Sequence, residues 1–282
     1  MEKKRLDVLL TEQGVFPSRE QAKNAVAEGK IFVNGKVVTK PGQPVPADAK
    51  IEFRGERMPF VSRGGWKLDK ALRVFPIDLR GKITMDIGAS TGGFTDCMLQ
   101  NGAQKVYSVD VGTDQLDAKL RADPRVVNME QTNIRNVTAE EFPERLDFFS
   151  VDVSFISLCL VLPAAVPLLK EDGEAVCLIK PQFEAGRNNI GKKGVVRDRK
   201  VQEEVVNKIC RFANELGCSV RGLDFSPIKG PEGNIEFLLY LRKLPHGVEN
   251  IIFDAKKTVQ NAYANLSGDL VGREESRTEV VL

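Results

Sequence analysis

The octapeptide DIGASTGG, residues 86–93, decides how the rest of this 282-residue chain is read. It closes an apolar run, ITMDIGA (83–89), and leads into a helical pattern, so it forms a strand-to-helix turn. Glycines there let a backbone come close to a ligand, and a helix N-terminus presents N–H groups. The candidate contacts are Asp86, Gly88, Ala89, Ser90, Gly92 and Gly93. The spacing G-x-x-x-G-G differs from the G-x-G-x-x-G of dinucleotide sites. Asp110 ends the next apolar run, KVYSVD (105–110), where a carboxylate can accept from ribose hydroxyls. An acid beside the turn suits a cation better than a phosphate. These features point to a nucleoside cofactor without a pyrophosphate, such as S-adenosylmethionine. The plain alternative is a tight turn with no ligand.

Outward from the turn, strand-like runs recur at 125–130, 146–153, 174–180, 219–226 and 235–243, with helical patterns between several of them. The clearest helix is 199–216, where Val201, Val205, Val206, Ile209, Phe212, Ala213 and Leu216 share one face. Alternating strands and helices predict an α/β fold: a Rossmann-like, mostly parallel sheet with helices on both sides. Only GPEGN separates the last two strands, which predicts an antiparallel final strand and no crossover helix. Ahead of this domain lies a small α+β one. Residues 5–15 and 19–29 read as helices, the second capped by Ser18 with Gln21 at the reciprocal position. KIFVNGKVV reads as a hairpin around Asn34-Gly35, and KIEF as a further strand. The expected layout is a small domain over 1–53, a linker over 54–60, the large domain over 61–245, and a C-terminal helix with a flexible tail over 246–282.

Composition narrows the options. Residues 1–59 carry 11 Lys+Arg against 8 Asp+Glu, while the remainder carries 30 against 31. A mildly basic N-terminal piece can meet a polyanion. The single histidine, His246, disfavours histidine-base and multi-histidine metal chemistry, and no metal is expected. The five cysteines form no C-x-x-C pair and read as buried thiols of a reducing compartment. With no apolar run of membrane-spanning length and no signal-peptide pattern, a cytoplasmic protein without membrane contact is expected.

Ligands of such sheets bind outside the carboxyl ends of the strands. Asp152 stands at the end of the fourth strand, Lys180 at the end of the fifth, and Glu236 at the start of the antiparallel seventh. Lys67, in SRGGWKL, precedes the first strand on a helix that can reach the same mouth. Singly, each reads equally as a solvated strand end or a helix cap. Two acids and two amines converging on one turn are harder to dismiss.

RLDVLL, SREQAK and VNGKVV, followed by SRGGWKL, DIGASTGGFTD, VDVSFIS, IKPQFE and the final EF-bearing strand, resemble the TlyA (hemolysin A) family. That family joins an RNA-binding domain of the ribosomal-protein S-four type to an FtsJ-type (RrmJ-like) RNA methyltransferase. The resemblance covers about residues 3–243. It implies ribose 2′-O-methylation of ribosomal RNA from S-adenosylmethionine, with ribosomal subunits as partners and a Lys-Asp-Lys-Glu tetrad falling on Lys67, Asp152, Lys180 and Glu236. It adds Asn133, and Asp152 itself, to the cofactor contacts.

Methyl transfer from a sulfonium is an in-line displacement, so the protein has to align a nucleophile and manage one proton. Lys180 is the candidate for that proton, either as a base or as a charged group that orients the hydroxyl. Asp152 would orient Lys180, with Lys67 and Glu236 completing the network. Other methyl acceptors fit less well. Exocyclic amines are methylated at an Asn/Asp-Pro-Pro-aromatic strand end, and carbon-5 of pyrimidines needs a cysteine, whereas Cys159 and Cys177 lie within apolar runs. RNA-contact candidates are Lys3, Lys4, Arg5, Ser18, Arg19, Lys23, Asn34 and Lys36, then Arg63, Lys192 and Lys193. These are phosphate-type contacts, and a solvated charged face is the plain alternative. The basic stretch 184–200 reads either as a loop that orders on RNA or as mobile surface. Trp66 could stack a base, though packing on the sheet is the simpler role. Three competing functions remain: a non-catalytic RNA-binding or ribosome-assembly factor, a pseudouridine synthase, and a membrane-active hemolysin. The intact tetrad, the absence of a second catalytic fold, and the lack of a spanning segment argue against them in turn.

Overall fold

A computed structural model describes residues 3–16, 19–55, 59–140, 142–266 and 280–281. They divide into two compact units, one within residues 3–55 together with 280–281, the other within 59–266.

The first unit runs β1 (Lys3–Arg5), α1 (Leu6–Glu12), α2 (Arg19–Ala27), β2 (Ile31–Val33), β3 (Lys36–Val38), β4 (Pro44–Pro46) and β5 (Ile51–Phe53). Its helices bury Leu6, Leu9, Leu10, Ala22 and Val26 against Ile31 and Ile51. Asn34 and Gly35 have φ of 49° and 75°, the pair of positive values that a tight type I′ hairpin between β2 and β3 requires. Three strands depart from the sequence reading. β1 and β4, the latter inside the Pro/Gly-rich turn, pair antiparallel, and neither carries enough alternation to announce itself. Val280–Val281, in the tail expected to be flexible, pairs antiparallel with β5. Ser18 and the Gln21 side chain lie outside what is described.

The second unit contains α3 (Gly65–Val74), β6 (Ile83–Ile87), α4 (Gly93–Gln100), β7 (Lys105–Val109), α5 (Ala118–Arg121), β8 (Val126–Met129), β9 (Leu146–Val151) and α6 (Leu158–Ala165). β10 (Leu169–Ile179), α7 (Pro181–Glu184), α8 (Arg199–Glu215), β11 (Cys218–Phe225), β12 (Phe237–Lys243) and α9 (Ala255–Leu266) follow. The seven strands are ordered β11-β12-β10-β9-β6-β7-β8. All are parallel except β12, which runs antiparallel to both of its neighbours. Alternation along each strand feeds two cores. Phe149, Val151, Cys177 and Ile179 meet Leu162, Val206 and Ile209 on one face. Phe148, Val176, Leu178 and Leu238 meet Leu68, Phe94 and Met98 on the other. β10 begins earlier than its apolar pattern indicates: Leu169 pairs with Leu146, and the register shifts before Glu174 around the polar segment 170–173. Among the described residues no helix is long and apolar enough to cross a membrane. The cysteines are free, four of them buried and Cys159 partly so.

The strand order reverses between β6 and β9, so the mouth of the site lies at the carboxyl ends of these two strands. Phe148 is fully buried in β9 beside that point. Phe148→Ala is expected to cost about 3–5 kcal/mol of stability in urea denaturation; a loss under about 1 kcal/mol would mean that this core does not hold the sheet.

Candidate active site

The turn after β6 packs first of all against its own protein. Gly88 has φ +87°, and a Cβ there would lie 2.7 Å from the carbonyl oxygen of Asp152. The Asp152 N–H in turn donates to Ile87 O at 3.0 Å. At Gly92 (φ +96°) a Cβ would meet the Leu116 and Leu120 side chains, and at Gly93 the Ser62 hydroxyl. The absence of side chains at these positions thus answers to close packing within the chain. The N–H groups are likewise engaged. Those of Gly88 and Ala89 donate to Val109 O, that of Gly92 donates to Ala89 O, and that of Ser90 donates to Asp110 Oδ2.

Asp86 likewise serves the protein's own packing. It is fully buried, and its Oδ2 accepts from the Thr95 N–H (2.9 Å) and hydroxyl (2.8 Å), tying β6 to α4. Burial pushes its carboxyl up to about 7 against the lowering effect of the Thr95 hydrogen bonds. Asp110 is half-buried, and its two oxygens each accept one backbone N–H at 2.8 Å, from Ser90 and Gly112. A carboxylate offers about four lone-pair sites, so two remain at Asp110. Asn133 is half-buried and accepts from Arg135 N at 3.1 Å, capping the turn after β8. Ala89 is buried; Ser90 is exposed with φ +48°.

Beside the turn the four strand-end candidates meet. Lys67, in the first turn of α3, has Nζ 3.1 Å from Asp152 Oδ2 and 2.9 Å from Glu236 Oε2. Lys180 Nζ is 2.5 Å from Asp152 Oδ1 and donates to Ser154 Oγ at 3.1 Å. The charges alternate: Lys180, Asp152, Lys67, Glu236. Lys67, Lys180 and Glu236 are buried. Topology explains the gathering. β9 and β10 are parallel and end at Val151 and Ile179, one residue before Asp152 and Lys180, while antiparallel β12 begins beside them. Lys70, one turn beyond Lys67, pins α3 to the same edge through Asp224 (3.1 Å) and the Phe225 carbonyl (2.6 Å). Burial lowers Lys67, but Asp152 and Glu236 outweigh it and hold the ammonium above its ordinary value. Burial likewise raises Asp152, and the two lysines overcome it, leaving the carboxyl below its usual range.

Other candidates fall outside this group. Arg63, Lys192 and Lys193 are exposed. In the first unit Lys3, Lys23 and Lys36 are exposed, as is Asn34, whose Oδ1 accepts from Lys50 N. Lys4 pairs with Glu12. Arg5 and Arg19 both reach the buried Asp7, whose carboxyl they hold down at about 2 against burial. Trp66 packs edge-on against Phe60. Burial pushes the Cys177 thiol far above its ordinary value, which suits a core thiol and not a nucleophile.

Sequence reasoning missed Phe155. This side chain is 92% exposed, three residues past Asp152, with φ +64°, a conformation rare for bulky residues. Its ring lies 5.2 Å from that of Phe183, which the Lys180 ammonium approaches at 5.9 Å. The aromatic in VDVSFIS was a signal, but without coordinates it reads as one more apolar residue.

Comparison with known proteins agrees with this geometry. The family model "FtsJ-like methyltransferase" matches residues 60–243, and the S4 domain model matches residues 4–51. The chain belongs to the FtsJ-like methyltransferase family. It is 46% identical to "Putative rRNA methyltransferase YqxC" of Bacillus subtilis, over 94% of this chain and 98% of that one. It is 42% identical to "16S/23S rRNA (cytidine-2'-O)-methyltransferase TlyA" of Mycobacterium tuberculosis, over 84% and 89%. A solved structure titled "Putative hemolysin from Streptococcus thermophilus" superposes with a TM-score of 0.77 at 48% identity, covering 95% of this chain and 98% of that one.

The turn fits the cofactor of an FtsJ-like methyltransferase better than a dinucleotide. A pyrophosphate needs open N–H groups, and here those of residues 88–90 and 92 already have partners within the protein. What the mouth offers is carboxylate: Asp110 keeps spare lone pairs, and Asp152, whose backbone lies directly against Gly88, holds its side chain there as well.

Asp86 yields a pH test. Between its ordinary 3.8 and about 7, the folded chain holds a proton that the unfolded chain releases, so stability falls as pH rises through that window and levels off above it. Asp86→Asn keeps an acceptor for Thr95 and is expected to flatten that slope. Urea midpoints at pH 5 and pH 8 measure it, and equal pH slopes in both proteins would exclude a buried, protonated Asp86.

Proposed function

We propose that this chain transfers the methyl group of S-adenosylmethionine to a ribose 2′-hydroxyl of ribosomal RNA. The observation that carries the reading is the alternation of Lys180, Asp152, Lys67 and Glu236, three of them buried, set directly against the Gly88 turn. S-adenosylmethionine, when bound, supplies an electrophilic carbon on a sulfonium, and Gly88, Ala89, Ser90, Asp110 and Asn133 are the residues that would hold it. A sugar hydroxyl is a poor nucleophile until its proton is drawn off, and Lys180 is the amine assigned that work. Asp152 keeps the amine in place from one side and Ser154 from another. Lys67 neutralises the second oxygen of Asp152 and is itself balanced by Glu236; Lys180 acts once it has given its own extra proton to solvent, since only the neutral amine can take the proton of the hydroxyl.

Phe155 extends the reading to substrate. A bulky side chain held exposed at positive φ, with the Phe183 ring between it and Lys180, offers a flat apolar face to a base lifted out of its stack. On the first unit, Lys3, Lys4, Arg5, Arg19, Lys23, Asn34 and Lys36 are assigned to the RNA backbone, as is Arg63 on the second. The names of the relatives from B. subtilis and M. tuberculosis support ribosomal RNA as the substrate class.

Transfer of labelled methyl to ribosomes, isolated subunits and free RNA, followed by mapping, tests the whole reading; label on protein or base, or on nothing, would sink it. Lys180→Ala is expected to lower turnover about 10²–10⁴-fold with calorimetric affinity for S-adenosylmethionine retained. Turnover near that of the unmodified enzyme would remove Lys180 from the mechanism. Phe155→Ala is expected to weaken RNA binding by about 1–3 kcal/mol, the worth of one stacked base, and to leave cofactor affinity untouched; unchanged affinity for RNA would show that the ring meets no base.

A further inference from the structure

Charge in the second unit is unevenly spread. Residues 186–200 carry six Lys+Arg and one acid, whereas all other positions from 60 to 269 carry 22 against 27. On an otherwise acidic unit, this one segment holds the charge that a polyanion needs.

The segment is built, not loose. Val196 is buried; its N–H donates to Asn234 Oδ1 at 3.1 Å and its carbonyl accepts from Gln202 Nε2 at 2.8 Å. Asn234 also donates to Gly194 O at 2.9 Å, and both Asn234 and Gln202 are almost wholly buried. From α9, the Tyr263 hydroxyl donates to Arg197 O at 2.9 Å, while the Arg199 guanidinium lies 4.2 Å from the Tyr263 ring centre. Held this way, the segment encloses an open pocket of about 330 Å³ bordered by Asn189, Lys192, Lys193, Arg197 and Asp198. That is at the lower end of the range of small-molecule sites, about 300–1,000 Å³. Asp198 is committed to the helix cap, accepting from Lys200 N at 2.8 Å. Lys192, Lys193 and Arg197 have no acidic partner among the described residues, whereas Lys67, Lys70, Lys82, Lys105 and Lys180 all do.

We propose that this pocket seats a phosphodiester of the substrate RNA, bound by Lys192, Lys193 and Arg197, with Tyr263 as the positioning residue that braces the loop. The proposal rests on the RNA-methyltransferase reading and adds a specific anchor to it. The anchor is tied to the reaction centre at both ends: α7 alone separates it from Lys180, and its clamp Asn234 is two residues before Glu236. α9 lies beyond residue 243, where the family match ends. Bracing this loop gives the helix a use.

The test is equilibrium binding to ribosomal subunits over a salt series, for the full-length protein and two variants. Replacing Lys192, Lys193 and Arg197 together by Ala is expected to weaken binding about ten-fold or more and to reduce the slope of log K against log salt by about 1–2, with calorimetric affinity for S-adenosylmethionine unchanged. Tyr263→Phe keeps all three cations, so the slope should stay while KM for RNA rises a few-fold at constant kcat. An unchanged slope in the triple variant, with methyl transfer by the unmodified enzyme intact, overturns the pocket alone. A lack of RNA binding and methyl transfer in the unmodified enzyme overturns the pocket and the parent reading together. Equal competition by free inorganic phosphate and by RNA would assign the pocket to a small anion instead.

Discussion

A carboxylate lodged between two ammoniums organises the catalytic unit. Asp152 meets Lys67 through one oxygen and Lys180 through the other, and its backbone meets the Gly88 turn. In a poorly solvated site, removing one partner of such a pair strands a charge, at a cost of about 3–5 kcal/mol. Each of the four side chains therefore constrains the rest, and the elements that carry them are constrained in turn. α3 has to lie across the strand ends, β9 and β10 have to stop in step, and β12 has to start where they stop. The position of Asp152, immediately past the buried end of β9, is what allows one residue to touch both the turn and the amines.

Much of this was legible beforehand, and for one reason: strands of a sheet covered on both sides are written as apolar runs, so the polar residue that ends each run stands out. Asp152, Lys180 and Glu236 were visible on that account, and Lys67 through its SRGGWKL context. Elements without such a run were not. β1 and β4 exist because they pair with each other across some forty residues, and the polar start of β10 is held by Leu146. The reason for the glycines was also out of reach. Sequence shows that residues 88, 92 and 93 lack side chains, but only coordinates show Asp152, Leu116, Leu120 and Ser62 filling the space. The segment 184–200, open to two readings as sequence, is clamped by Asn234 and Gln202, whose amides carry no mark of that work in the chain.

The glycine turn carries a further lesson about cofactor choice. Loops that cradle phosphates keep their N–H groups pointing outward, whereas this one turns them onto Val109, Ala89 and Asp110. The same glycine-rich composition thus serves opposite ends. One arrangement leaves donors for an anion; the other uses them up and leaves acids at the mouth.

The reversed strand has a consequence for how the protein comes into being. β12 lies between β10 and β11, yet it is made after both. While the chain is being synthesised, β10 has an open edge and β11 has nowhere to dock until residues 237–243 have emerged. Glu236 arrives with that same stretch, so the last acid of the site and the closure of the sheet come in one event. A truncated product ending before it would present a bare strand edge, a known template for aggregation, and would lack the counter-charge of Lys67.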